Sequence, residues 1–274
     1  MENILFIGGD KRIIYAAEQI SQSTGAFALG LGGGFPEPQG RYSGIVLPLP
    51  FSRNGTIINA PSSDKPLPLD IIAEYAQPGA LVMSGGTSDK LEAICAANRL
   101  ELYNYFAGEE LTLKNALLTA EGAVSLLISG SDTALCDSSA VITGYGRIAR
   151  YLARFLREFR CRVTVTARDP VQRQAALLDG FCALPTELTG LAASSADLII
   201  NTVPAQLLTE SDFGKLRRGA VYLELATRAG RPEQSWAVPA GVNYINGAGL
   251  PGKFSARTAG EAIANTVLAA VRGR

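Results

Sequence analysis

Short apolar runs, rich in branched side chains, recur along the first half of the chain: Asn3 to Ile7, Ala26 to Leu29, Gly44 to Leu47, Ala80 to Met83 and Leu100 to Tyr103. Each has the length and composition of a buried strand. Between them, Lys11 to Ser23, Leu69 to Gln77 and Asp89 to Asn98 carry apolar positions at helical spacing. Strands alternating with helices predict a parallel, doubly wound sheet of flavodoxin-like type, with the working loops at the carboxyl ends of its strands. The first strand exits into Gly8-Gly9-Asp10 and the fourth into Ser84-Gly85-Gly86. Pro48 to Pro68, rich in Pro, Ser, Asn and Gly, reads as a long loop, and loops of that length are usually functional or mobile.

Leu111 to Ser129 reads as a long connecting helix. A second set of strands follows at Ala140 to Thr143, Val163 to Thr166, Gly180 to Leu184, Asp197 to Asn201, Val221 to Leu225 and Val242 to Ile245. After the first of these, Gly144-Tyr145-Gly146-Arg147-Ile148-Ala149 fits G-x-G-x-x-A, and Ile148, Leu152, Phe155, Leu156 and Phe159 continue at helical spacing. In that pattern the first glycine permits the turn, the second lets a pyrophosphate approach the backbone, and the small third residue lets helix and strand pack closely. A helix N-terminus with its orphan N–H groups then faces the phosphates. The fold class expected is α/β with two doubly wound parallel-sheet domains, the second a Rossmann NAD(P)-binding domain. Its boundaries read as 1–110, a connecting helix 111–130, and 131–256. The final helix, 257–274, would return to the first domain, as in two-lobed dehydrogenases, and the active site would lie in the cleft between domains.

The second strand of the fingerprint unit ends in Ala167-Arg168-Asp169. An NAD-selective site usually places a carboxylate there for the ribose 2′-hydroxyl. Arg168 instead offers a planar cation able to pair with a 2′-phosphate, so NADP is expected over NAD. The alternative is a solvated arginine, with Asp169 one place later taking the ribose.

Lys plus Arg equals Asp plus Glu at 25 each, so bulk charge points to neither nucleic acid nor an anionic membrane. No apolar run reaches membrane-spanning length, and the start of the chain lacks signal-peptide character, so a cytoplasmic protein is expected. Cys95, Cys136, Cys161 and Cys182 are widely spaced, which fits buried thiols in a reducing compartment rather than a metal site or disulfide frame. The chain contains no histidine, which excludes any dehydrogenase relying on a His–carboxylate pair.

Further strand ends carry candidate chemistry. Asn201-Thr202-Val203-Pro204 is placed to touch the cofactor, although Asn and Pro also suit a plain turn. Glu224-Leu225-Ala226-Thr227-Arg228 ends the next strand with a cation, and Gly247 to Lys253 follows another.

Taken together, Gly8-Gly9-Asp10-Lys11-Arg12, Thr119-Ala120-Glu121-Gly122, Gly144-Tyr145-Gly146-Arg147, Ala167-Arg168, Asn201-Thr202-Val203-Pro204, Leu225-Ala226-Thr227-Arg228, and Gly249-Leu250-Pro251-Gly252 through Thr258-Ala259-Gly260 resemble the family of the dipicolinate synthase A component. The resemblance runs nearly end to end and is weakest around residues 34–66. It implies a sporulation oxidoreductase that makes pyridine-2,6-dicarboxylate from a dihydro- or hydroxytetrahydrodipicolinate precursor, with the flavoprotein-like B component of dipicolinate synthase as partner. The cofactor contacts would be Gly144, Tyr145, Gly146, Arg147, Ile148, Ala167, Arg168, Asn201, Thr202, Val203 and Pro204. Asp10, Arg12, Ser84, Gly85 and Arg228 would serve the dicarboxylate substrate, with Lys253 a further cation. Glu121 and Lys253 are the catalytic candidates. Accepting the ring proton asks Glu121 to be buried, against the alternative of a helix-end carboxylate in a structural hydrogen bond. Two other readings stay open: an NAD(P)-dependent dehydrogenase of another small carboxylic acid, and a non-catalytic NADP-binding regulatory protein. A homo-oligomer is neither required nor excluded.

Overall fold

The computed structural model describes residues 3–226 and 232–273. The chain divides into two compact units, Met1–Asn115 with Ser255–Arg274, and Ala116–Phe254.

The first unit holds β1 (Asn3–Ile7), α1 (Lys11–Ser21), β2 (Gly25–Leu29), β3 (Tyr42–Val46), α2 (Ile71–Tyr75), β4 (Ala76–Ser84), α3 (Asp89–Ala97) and β5 (Glu101–Asn104). Its sheet runs β2-β1-β3-β4-β5, with parallel pairing throughout. That order is the flavodoxin-like one and reverses between β1 and β3, where such sheets open a crevice. β1 is apolar without alternation because both faces of a parallel sheet are covered, and Ile4, Leu5, Phe6 and Ile7 are all buried.

The boundary that departs furthest from the sequence expectation in this unit is the one between α2 and β4. β4 begins at Ala76 rather than Ala80, at the expense of the helix before it. Ala76 pairs with Tyr42, the chain bulges through Gln77 to Ala80, and pairing resumes at Leu81 opposite Gly44. Pairing in the sheet outweighs the helical periodicity of that segment. The loop of residues 48–68 is anchored by bridges between Ser52 and Ile58 and between Ile57 and Pro68, with Phe51, Ile58 and Leu67 buried beneath it.

In the second unit, β6 (Ser139–Thr143), α5 (Arg147–Glu158), β7 (Arg162–Thr166), α6 (Pro170–Leu178), β8 (Cys182–Leu184), α7 (Thr189–Ser194), β9 (Leu198–Asn201), α8 (Glu210–Phe213), β10 (Val221–Glu224), α9 (Gln234–Ala240), β11 (Asn243–Asn246) and α10 (Leu250–Phe254) follow α4 (Glu109–Gly130), which crosses the unit boundary. The parallel sheet runs β11-β10-β9-β6-β7-β8, the Rossmann order, with its switch point between β6 and β9. α5 buries Ala149, Leu152, Ala153 and Leu156 and turns arginines outward. Gly180, in the left-handed region at φ +86°, closes α6, so β8 starts two residues later than its apolar pattern suggested.

α4 corrects the reading that no segment is apolar enough to span a bilayer. Its 22 residues meet that test by length and composition. Ala120, Ala123, Val124 and Leu127 nevertheless lie in the core of the second unit, the ordinary place for such a helix.

The last helix, α11 (Ala256–Arg272), packs along α1 within the first unit. Gly260 makes the close approach possible: a Cβ there would lie 2.5 Å from the Arg12 carbonyl oxygen and 2.7 Å from the Tyr15 Cβ. Backbone cannot yield as a side-chain tip can, so Gly260→Ala is expected to destabilise the protein by about 1–3 kcal/mol. Chemical denaturation of parent and variant checks this, and an unchanged midpoint would mean that the two helices separate freely.

Candidate functional site

The glycine-rich turn sits at the carboxyl edge of the second sheet. The Gly144 N–H donates to the Thr166 carbonyl at 2.7 Å, tying the turn to β7. With φ at +78°, and with a hypothetical Cβ only 2.6 Å from Val203 Cγ1, position 144 accepts glycine alone without strain. Tyr145 turns its ring into the core and donates its hydroxyl to Asp179 Oδ2 at 2.6 Å. Burial, then that bond, push the Tyr145 phenol well above its ordinary range. The same bond, first among several influences, holds the Asp179 carboxyl below its own. The backbone N–H of Tyr145 is met by Gln172 Oε1 at 3.0 Å.

Gly146 is the N-cap of α5, and no side chain caps the helix there. A Cβ at Gly146 would meet nothing within 4 Å. An uncapped N-terminus on a three-turn helix, beside open space at a glycine, fits a pyrophosphate. Arg147 is exposed at the head of the helix and Ile148 packs partly into the core.

Beside the turn lies a cavity of about 390 Å³. Thr166 to Asp169, Gln172 and Thr186 line one side, Val203, Pro204, Ala205 and Leu207 the other, with Gly144 between them. Of the cofactor residues expected from sequence, the cavity thus brings together Gly144, Ala167, Arg168, Val203 and Pro204. Gln172, Thr186 and Leu207 had not been anticipated. They come from α6 and from loops after β8 and β9, and no motif marks them.

Arg168 is exposed at the rim. Its backbone carbonyl and that of Ala167 both accept from Arg173 Nη1, at 2.7 and 2.8 Å, which fixes the bend that presents the Arg168 side chain. Asp169, the rival for this position, caps α6, with Oδ1 accepting from the Val171 N–H at 2.8 Å.

Asn201 and Thr202 face inward. Asn201 Oδ1 accepts from Thr143 Oγ1 at 2.6 Å, and the Thr202 hydroxyl donates to the Thr143 carbonyl at 2.6 Å. Their side chains shape the loop at the cavity rather than lining it.

The other candidates occupy their own units. In the first, Asp10 caps α1 by accepting from the Arg12 N–H at 3.0 Å. The buried Arg12 guanidinium pairs with Asp10, at 2.8 Å, and also donates to the Leu49 carbonyl. Ser84 is fully buried with an unpartnered hydroxyl, and a Cβ on Gly85 would sit 2.5 Å from the Pro48 carbonyl oxygen. In the second, Glu121 is exposed rather than buried, and Lys253 is exposed too. They lie on α4 and α10, which meet at Gly122, where a Cβ would be 2.8 Å from Leu250 Cβ. Arg228 lies outside the described residues. Burial pushes the Cys95 and Cys161 thiols up to about 11, which fits inert core cysteines, whereas Cys136 and Cys182 are exposed, against the expectation of four buried thiols.

Comparison with known proteins fits this geometry. Residues 36–106 match the N-terminal domain of the dipicolinate synthase A component, and residues 117–228 the S-adenosyl-L-homocysteine hydrolase NAD binding domain. The dipicolinate synthase A component of Bacillus subtilis (strain 168) is 25% identical over 231 residues, 84% of this chain and 78% of that protein. The crystal structure of the same component from Bacillus halodurans superposes with a TM-score of 0.85 at 20% identity, over 98% of this chain and 97% of that one. The crystal structure from Bacillus subtilis gives 0.83 at 22%, over 99% and 97%. The chain therefore resembles the dipicolinate synthase A component over most of its length and shares its fold of two parallel α/β sheets. The NAD-binding domain indicates a nicotinamide dinucleotide cofactor.

Proposed function

We propose that this chain is an NADP-dependent oxidoreductase that converts dihydrodipicolinate, or its hydroxytetrahydro precursor, to dipicolinate. In this reading it works in the cytoplasm of a sporulating cell with the flavoprotein-like B component of the synthase. The observation that carries the reading is the cavity beside the uncapped N-terminus of α5, with Arg168 at its rim.

The bound dinucleotide supplies a hydride acceptor. The chain's own residues do the rest. The open backbone at Gly146 and the head of α5 receive the pyrophosphate, and the cavity from Thr166 to Leu207 receives the adenosine half. Arg168 is the group proposed to meet a 2′-phosphate, while Asp169, which also lines the cavity, commits Oδ1 to the cap of α6. Taking a dihydropyridine to a pyridine removes one hydride and one proton, and aromaticity drives the step; the hydroxytetrahydro precursor must first lose one water to reach the dihydro level. The proton leaves for a carboxylate or for water, so a chain without histidine can complete the reaction. Arg228 and Lys253 are the cations proposed for the substrate carboxylates, whereas Glu121, exposed on α4, lacks the burial that a ring-proton acceptor was expected to have. The pairing of Arg12 with Asp10 favours a structural role for that arginine, with Ser84 and Gly85 left to the substrate.

Purified chain, with and without its flavoprotein-like partner, is to be mixed with enzymatically generated dihydrodipicolinate and NADP⁺. NADPH and dipicolinate should appear together in equal amounts. If NADPH binds but neither product forms with both proteins present, the chain is a nucleotide-binding regulatory protein. Turnover of a different small acid would move it to another dehydrogenase class.

A further inference from the structure

We infer that Glu224 is a positioning residue for the dinucleotide: it fixes which way the Asn201 carboxamide points and, through it, the Thr202-Val203-Pro204 wall of the cavity. The inference rests on the dinucleotide reading of the second unit.

Glu224 ends β10, and its carboxylate is wholly buried at a position where a covered parallel sheet ordinarily places an apolar side chain. It stands directly opposite Asn201 on β9, which stands opposite Thr143 on β6. Side chains in register on neighbouring parallel strands share a face, so the three form one polar row across the switch point of the sheet. A buried carboxylate is tolerated when donors surround it. Here Asn201 Nδ2 donates to both oxygens at 3.0 Å, the Ala226 N–H to Oε1 at 2.8 Å, and the Tyr222 hydroxyl reaches Oε2 at 3.4 Å.

The consequence falls on Asn201. A carboxamide can be turned end for end with little change in shape, and only its partners decide which end is which. A carboxylate accepts and never donates, so Glu224 draws the NH₂ end toward itself. The oxygen must then face Thr143 Oγ1 at 2.6 Å and the Val203 N–H at 3.3 Å, while Nδ2 also donates to the Val203 carbonyl at 3.0 Å. Both backbone groups of Val203 are thereby held by one carboxamide. With the amide reversed, donor would meet donor and acceptor would meet acceptor at Val203. Val203 lines the cavity and faces the Gly144 turn so closely that a Cβ on Gly144 would touch it. The orientation set by Glu224 therefore reaches the cofactor wall in two steps, without Glu224 touching the ligand.

The test uses NADPH as probe, titrated by its fluorescence against the full-length protein, with the melting temperature measured alongside. Glu224→Gln keeps the volume but no longer dictates the amide orientation, so the NADPH Kd should rise by about tenfold with little change in melting temperature. Asn201→Asp sets two carboxylates face to face and should bind more weakly still. The double variant Asn201→Asp/Glu224→Gln restores a donor opposite an acceptor, and should bind NADPH better than Asn201→Asp alone. A role in bulk stability alone makes affinity follow the melting temperature in every variant, whereas a positioning role weakens NADPH binding in Glu224→Gln at a nearly unchanged melting temperature. The inference is overturned if Glu224→Gln binds NADPH as the parent does, or if affinity and melting temperature fall together and the double variant recovers neither. A parent protein that binds neither NADPH nor NADH overturns the dinucleotide reading itself, an outcome distinct from both.

Discussion

NADPH should bind the parent protein more tightly than NADH, and Arg168→Ala should remove most of that difference. The two ligands differ only by the 2′-phosphate, so the comparison isolates one group. Arg168 stands at the end of β7 with an exposed side chain at the cavity rim. Its backbone is held by Arg173, so the guanidinium leaves from a fixed point rather than from a mobile turn. Losing a charge-assisted pair costs about 1.5–3 kcal/mol, roughly ten- to a hundredfold in affinity. NADH, which has no 2′-phosphate, should bind parent and variant nearly alike. Raising the salt concentration should narrow the gap in the parent, because a rim pair is screened more than a buried one. Calorimetric titrations giving equal NADPH and NADH affinities for the parent would remove Arg168 from the site and return the ribose to Asp169.

The pattern of apolar residues was enough to place β6, β9 and β10, which are buried almost throughout, and β7, where Val163 and Val165 mark the strand although Arg162 is exposed and Thr164 half-buried. It failed at the α2–β4 junction, where Ala76 joins the sheet through pairing with Tyr42, a contact made far away in sequence. The site divides in the same way. Gly144 and Arg168 were legible because the turn and the strand end each impose a requirement on residue type. Gln172 and Thr186 were not, because only tertiary folding brings α6 and the exit of β8 to the cavity. Tyr145 and Asn201 were legible as positions but not as roles, since a motif records where the backbone goes and not which way a side chain turns. Both side chains point into the interior. Arg12 teaches the same lesson: its local partner Asp10, two residues earlier, claims the fork that sequence alone offered to a substrate.

Gly146→Val should abolish dinucleotide binding in a protein that remains folded. Position 146 has φ −81° and ψ −167°, extended backbone open to any residue, and a Cβ there meets no atom within 4 Å. A valine is therefore expected to leave the melting temperature nearly unchanged in the absence of ligand. Its branched carbons would instead fill the space at the head of α5 where a pyrophosphate must approach the backbone, so affinity should fall by about a hundredfold or more. The neighbouring glycine supplies the contrast. Gly144→Ala puts a Cβ on a residue at φ +78° and within 2.6 Å of Val203, and left-handed backbone alone costs a non-glycine residue about 1–2 kcal/mol. That variant should lose stability and affinity together. Thermal melts with and without NADPH separate the two cases. At a ligand concentration a hundred times Kd, binding stabilises the parent by about 2.7 kcal/mol, which in Gly146→Val should shrink to a small fraction while its unliganded melt stays in place. If Gly146→Val keeps the full ligand-induced shift, the turn is structural and the nucleotide, if it binds, lies elsewhere.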